Sequence, residues 1–143
     1  MAKQNHAKRA PVIAVINSND DLVRALANEL KQERYTPVTA HVADIKSGSE
    51  NFIEFLERHE PELIIYDVAI PYEDNWTFLN MLRALPQCRD IPFVITTVNK
   101  RVLDSRVGQT DAIEIVGGHA DDVEPTLEAV RRALHAGSGT RIR

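Results

Sequence analysis

An acidic residue, Asp67, directly follows a short apolar run in the middle of the chain. The run, Leu63–Tyr66, is continuous and contains two isoleucines, which is typical of a strand buried on both faces of a sheet. A carboxylate that follows such a strand lies at the carboxyl edge of the sheet, where open α/β folds bind ligands and carry out chemistry. Asp67 is therefore the first candidate for a functional residue. The alternative is that it only anchors the loop that follows.

The elements that must position Asp67 are strands and helices in alternation. The predicted strands are Val12–Ile16, Val38–Ala43, Leu63–Tyr66, Phe93–Thr97 and Ala112–Val116. Apolar residues at helical spacing predict helices from Asp21 to Glu33, from Ser49 to Glu60, after Asn75 and after Asp122. The segment from Asn99 to Val107 is short and polar, so it is expected to form a helix poorly. The alternation predicts a parallel sheet that is covered by helices on both faces.

Length and composition limit the class of protein. The chain has 143 residues, a net charge of −4 and one cysteine, Cys88. These features predict one cytoplasmic domain without disulfides, and they give no support for nucleic-acid binding. The N-terminus has no apolar signal segment and no run is long enough to cross a membrane, so no membrane association is expected. The predicted division is a flexible leader over 1–10, a domain over 11–135 and a flexible tail over 136–143.

Two segments carry a family resemblance. Pro61–Asp67, followed by Pro71, resembles the phosphoacceptor segment of response-regulator receiver domains, and Ile91–Thr97 resembles their strand that ends in a switch Thr or Ser. The resemblance implies a flavodoxin-like (βα)5 fold, a three-layer sandwich whose parallel sheet has the order 2-1-3-4-5. It also implies that Asp67 accepts a phosphoryl group from a histidine kinase and that the hydroxyl of Thr97 responds to that group.

The chain departs from the family pattern where charge is needed. The family has an acidic pair after its first strand to hold Mg²⁺, and these positions are Asn17 and Ser18 here. The lysine that pairs with the phosphoryl group falls at Gly117, and the candidates for a substitute base are Lys100, just after Thr97, and His119. Because Mg²⁺ prefers charged oxygen ligands, we expect it to bind weakly if at all. No other metal or cofactor is expected.

The favoured interpretation is a stand-alone, atypical receiver domain, a pseudo-receiver, that signals by protein contact. Its expected partners are a histidine kinase or another protein of a two-component phosphorelay, or a second copy in a homodimer, and it is not expected to be an enzyme. One alternative is a receiver that is still phosphorylated at Asp67. Another is a flavodoxin-like module that binds a small ligand, although no glycine-rich phosphate loop follows the first strand.

Overall fold

The sheet that carries Asp67 is parallel and continuous. The computed structural model describes the backbone of residues 10–115 and 120–142, and their side chains except those of 120, 121 and 137–142. Five parallel strands pair in the order β2-β1-β3-β4-β5. They are β1 Val12–Asn17, β2 Thr36–His41, β3 Leu63–Asp67, β4 Phe93–Thr97 and β5 Ile113–Glu114. The order and the parallel pairing confirm the predicted flavodoxin-like fold.

Helices connect the strands and cover both faces of the sheet. They are α1 Asp20–Gln32, α2 Val42–Ser47, α3 Phe52–His59, α4 Tyr72–Arg83, α5 Lys100–Val107 and α6 Glu124–Ile142. Short 3-10 helices lie at Pro86–Cys88 and Ala120–Val123. No helix within the described ranges combines the length and the apolar character that a membrane span requires.

The core has two layers because side chains alternate between the faces of each strand. Ile13 and Val15 of β1 pack with Leu26 and Leu30 of α1 and with buried residues of α6. The opposite face is larger and packs against α2, α3, α4 and α5. Its buried members include Ile16, Ile64, Tyr66, Ile45, Phe55, Leu79 and Leu103. The strand β3 is buried on both faces along its whole length, as its continuous apolar run predicts.

Several predicted boundaries were wrong, and the region after β2 differs most. The strand β2 ends at His41, and the helix α2 begins at the next residue although a strand to Ala43 was predicted. The imidazole of His41 accepts a hydrogen bond from the amide of Ala43 and caps this helix. The next helix begins at Phe52 instead of Ser49 because Asn51 is its N-cap.

The last third of the chain also differs from the predicted boundaries. The polar segment after Asn99 does form a helix, α5, whose first turn is capped by the Asn99 side chain. The strand β5 covers only two residues. Helix α6 extends to Ile142. Residues 1–9 of the predicted leader lie outside the described residues.

Candidate functional site

Asp67 is the last residue of β3, at the carboxyl edge of the sheet, and it is only 5% exposed. The register pairs Asp67 with Thr96 of the neighbouring strand β4. Paired residues of parallel strands point to the same face, and the Thr96 hydroxyl donates a hydrogen bond of 2.7 Å to Oδ1 of Asp67. The carboxylate is thus fixed by a neutral hydroxyl donor.

The surroundings of Asp67 make its negative charge unfavourable. Burial raises the pKa of its carboxyl group from 3.8 to about 6, and the hydrogen bond from Thr96 opposes this rise. The same carboxylate contributes, after burial itself, to a raised pKa of the buried phenol of Tyr66. The raised pKa of Asp67 means that its environment does not supply enough positive charge to offset the lost hydration.

The hydroxyl of Thr97, the predicted switch residue, is hydrogen-bonded to the residue that follows Asp67 in the chain. The Thr97 hydroxyl donates a hydrogen bond of 2.8 Å to the carbonyl oxygen of Val68. Thr97 is fully buried and, by alternation along β4, faces the side of the sheet opposite to Thr96. The structure therefore places one threonine hydroxyl on the carboxylate and the other on the loop that follows it.

The positions of the missing acidic pair also lie at this edge of the sheet. Asn17 is the last residue of β1 and is 1% exposed. Its side-chain oxygen accepts hydrogen bonds from the backbone amides of Ser18 and Asn19, at 2.7 and 2.9 Å. Ser18 is exposed and lines the cavity beside Asp67. The oxygen of Asn17 is thus neutral and already committed to the backbone.

A cavity of about 180 Å³ opens beside Asp67. Its wall includes Ser18 after β1, Lys46 of α2, the loop residues Ala69–Pro71 and Asn75 of α4. Asn75 is 7% exposed, and its Nδ2 donates a 2.7 Å hydrogen bond to the carbonyl oxygen of Ala69. Nζ of Lys46 donates a hydrogen bond to Oδ1 of the same side chain. A cation and a carboxylate therefore line one small cavity.

The basic residues proposed from the family pattern lie elsewhere or are not described. Nζ of Lys100 donates hydrogen bonds to Asp104 and to the carbonyl oxygen of Thr110, at 2.7 and 2.6 Å. Lys100 is thus held by its own helix and the loop after it, and it is absent from the lining of the Asp67 cavity. Gly117 and His119 lie outside the described residues.

Sequence reasoning missed Lys46 and Thr96. Lys46 contacts a residue 29 positions away in the chain, and no local pattern marks such a contact. Thr96 is selected by the register that pairs Asp67 with it across β3 and β4, and two neighbouring hydroxyl residues do not show from the sequence which of them is paired.

The residues at this edge do not fit a magnesium ion. Mg²⁺ binds charged oxygens in octahedral geometry and keeps several waters. Asp67 supplies the carboxylate, but the oxygens of Asn17, Ala69 and Asn75 already accept hydrogen bonds, and an ammonium group shares the wall. In the part of the chain that the structure describes, no group of three His, Cys, Asp or Glu side chains could hold a metal ion.

Comparison with known proteins finds similarity at the level of the fold. No protein-family model matches the sequence, and no curated protein matches it. Among solved structures, the N-terminal domain of a response regulator receiver protein from Methanoculleus marisnigri JR1 has a TM-score of 0.56 and 22% identity, covering 83% of this chain and 94% of that one. The chemotaxis protein CheY4 of Vibrio cholerae has a TM-score of 0.59 and 18% identity, covering 85% and 98%.

The receiver domain of NtrC4 from Aquifex aeolicus is similar to the same extent. Its TM-score is 0.59 at 18% identity, and the match covers 87% of this chain and 97% of that one. These three alignments span nearly all of each solved chain. In its fold, the chain is similar to the receiver domains of response regulators.

Proposed function

We propose that this chain is a receiver-like signalling domain that acts by contact with a partner protein and in which magnesium-dependent phosphorylation of Asp67 is impaired. The observation that supports the proposal most is the lack of a second negatively charged oxygen at the end of β1, beside Asp67. The side-chain oxygen of Asn17 is neutral and accepts two backbone amides. A receiver of the usual pattern, which the sequence resembles, has acidic residues there.

The missing charge has a direct consequence for phosphoryl transfer. The transferred group carries negative charge on its equatorial oxygens, and catalysis consists largely of positioning it and neutralising that charge. Loss of a single preorganised stabilising group costs about 3–4 kcal/mol of barrier. Asp67 already resists ionisation, with a pKa of about 6. A phosphodonor therefore meets a carboxylate beside which Asn17 and Ser18 supply no negative charge to hold the metal ion that would neutralise the transferred group.

Exposed apolar side chains near the same edge support signalling by contact. Ile70, in the loop after β3, is 73% exposed and also lines the Asp67 cavity. Val98, in the loop after the neighbouring strand β4, is 51% exposed. Adjacent strands place these two loops side by side, so the residues present apolar surface where a partner can cover it. We infer that the partner is a histidine kinase or another signalling protein, or a second copy of the chain.

Phosphorylation with a radiolabelled small-molecule phosphodonor tests this proposal. The wild-type protein and Asp67→Asn are incubated with labelled acetyl phosphate and Mg²⁺, and protein-bound label is counted. We expect the wild-type protein to incorporate no more label than Asp67→Asn, because the charges that stabilise the transferred group are missing. A receiver domain with a complete acidic pair is the positive control.

The opposite result is incorporation of label that depends on Mg²⁺ and is lost in Asp67→Asn. It would show that the domain is a phosphorylated receiver. The same assay with a histidine kinase as the donor would then identify the physiological reaction class.

A further inference from the structure

Lys46 brings a positive charge to the Asp67 cavity from an unexpected element. It lies on α2, the short helix after β2, whereas the receiver pattern has its lysine at the end of the fifth strand. Lys46 and Asp67 line the same cavity. This juxtaposition is independent of the missing acidic residues, because it concerns a cation that is present.

The ammonium group of Lys46 is held in place by its contacts. Nζ donates a hydrogen bond to Oδ1 of Asn75 and lies 5.6 Å from the centre of the Phe78 ring. Asn75 is 7% exposed and is itself fixed through its Nδ2 to the carbonyl oxygen of Ala69. The charge of Lys46 is therefore tied to the loop that follows Asp67, although the residue as a whole is exposed.

The size of the cavity sets how close this charge lies to any bound ion. A cavity of about 180 Å³ has the volume of a sphere about 7 Å across, well inside the range of Coulomb interactions at a protein surface. An ion anywhere in the cavity thus experiences the charge of Lys46. The ammonium group therefore repels a divalent cation that enters the cavity.

We propose that Lys46 is the resident cation of the Asp67 cavity, and that its charge repels a divalent metal ion and weakens metal binding there. The inference rests on the proposed function and gives one physical cause for the impaired use of magnesium. Lys46 is a positioning residue in this account. It sets the charge of the cavity and holds Asn75, and it does not itself react.

A purely structural role for Lys46 makes a different prediction. If the side chain only holds Asn75 and the loop, its removal lowers stability and leaves metal affinity unchanged. Metal affinity therefore separates the two roles, and it is measured without any phosphorylation.

The test is a Mn²⁺ titration followed by electron paramagnetic resonance of the free ion. It compares the wild-type protein with Lys46→Met, and with Lys100→Met as the matched control, because that substitution removes the same charge from a site away from the cavity. We expect the dissociation constant for Mn²⁺ to fall by about tenfold or more in Lys46→Met, and to stay close to the wild-type value in Lys100→Met. Adding Asp67→Asn to Lys46→Met should abolish this gain in Mn²⁺ affinity.

A second variant, Lys46→Gln, separates the charge of Lys46 from its hydrogen bond. Lys46→Gln keeps a hydrogen-bond donor for Asn75 but removes the charge, so it should also tighten Mn²⁺ binding even if Lys46→Met folds poorly. Circular dichroism establishes that each variant is folded. Equal, weak Mn²⁺ binding in the wild-type protein, Lys46→Gln and Lys100→Met would overturn the role of Lys46 and leave the proposed function intact. Submillimolar binding by the wild-type protein at Asp67 would overturn both.

Discussion

The Asp67→Asn variant should be more stable than the wild-type protein at pH 8, by about 3 kcal/mol in the free energy of unfolding. In the folded protein, burial raises the pKa of Asp67 from 3.8 to about 6. Ionisation therefore favours the unfolded chain. Asn cannot ionise, and its side-chain oxygen can still accept the hydrogen bond from Thr96.

The sign of the pH dependence follows from the direction of the shift. Between pH 3.8 and about 6 the folded state keeps the proton of Asp67 more readily than the unfolded state does. Wild-type stability therefore falls as the pH rises through this window, and the loss is complete above the folded-state pKa. The advantage of the variant should grow by about 2 kcal/mol between pH 4.5 and pH 8.

Urea unfolding at both pH values measures this difference. The control is Asp90→Asn, which removes one carboxylate from an exposed turn and so measures the general effect of losing one negative charge. An Asp67→Asn variant that is less stable than the wild-type protein at pH 8 would contradict the account, because it would mean that the folded protein stabilises the charged carboxylate.

The double substitution Asn17→Asp and Ser18→Asp should make the protein less stable than the wild type, whereas Asp67→Asn should make it more stable. It restores the acidic pair of the family pattern beside a buried carboxylate. Without metal, repulsion among these three carboxylates should lower the free energy of unfolding by about 1–3 kcal/mol. Mg²⁺ should then stabilise the variant, since binding to the folded state alone contributes about 1.4 kcal/mol when the ion is at ten times its dissociation constant.

Thermal unfolding with and without Mg²⁺ tests the double substitution. The matched control is Asn28→Asp with Gln32→Asp, which adds the same charge on the exposed side of α1. We expect the melting temperature to respond to Mg²⁺ in the first variant only. An equal response in the wild-type protein would show that the natural residues already hold the ion.

The sequence predicted the fold because its strands are strongly patterned. The continuous apolar runs of β1 and β3 are typical of strands buried on both faces, and the side chains of β1 do enter both layers of the core. The place of Asp67 at the carboxyl edge followed from this topology. These features depend on local residue types, which a sequence displays directly.

The site could be predicted only in part because its remaining contacts are distant in sequence. Helix α2 starts without any break after β2, and its N-cap is His41, which is also the last residue of that strand. Lys46 reaches the cavity only because this helix exists. The choice between Thr96 and Thr97 depends on the strand register, which neighbouring hydroxyl residues do not reveal.

The central claim is that the carboxylate of Asp67 lacks the charges needed to hold magnesium, and a Mg²⁺ titration of the wild-type protein by two-dimensional NMR tests it most directly. The backbone amides of Ser18 and Val68 flank the site and report on it residue by residue. We expect their shifts to change only gradually and without saturation up to about 10 mM Mg²⁺. Saturable shifts at both amides below about 1 mM, lost in Asp67→Asn, would contradict the claim.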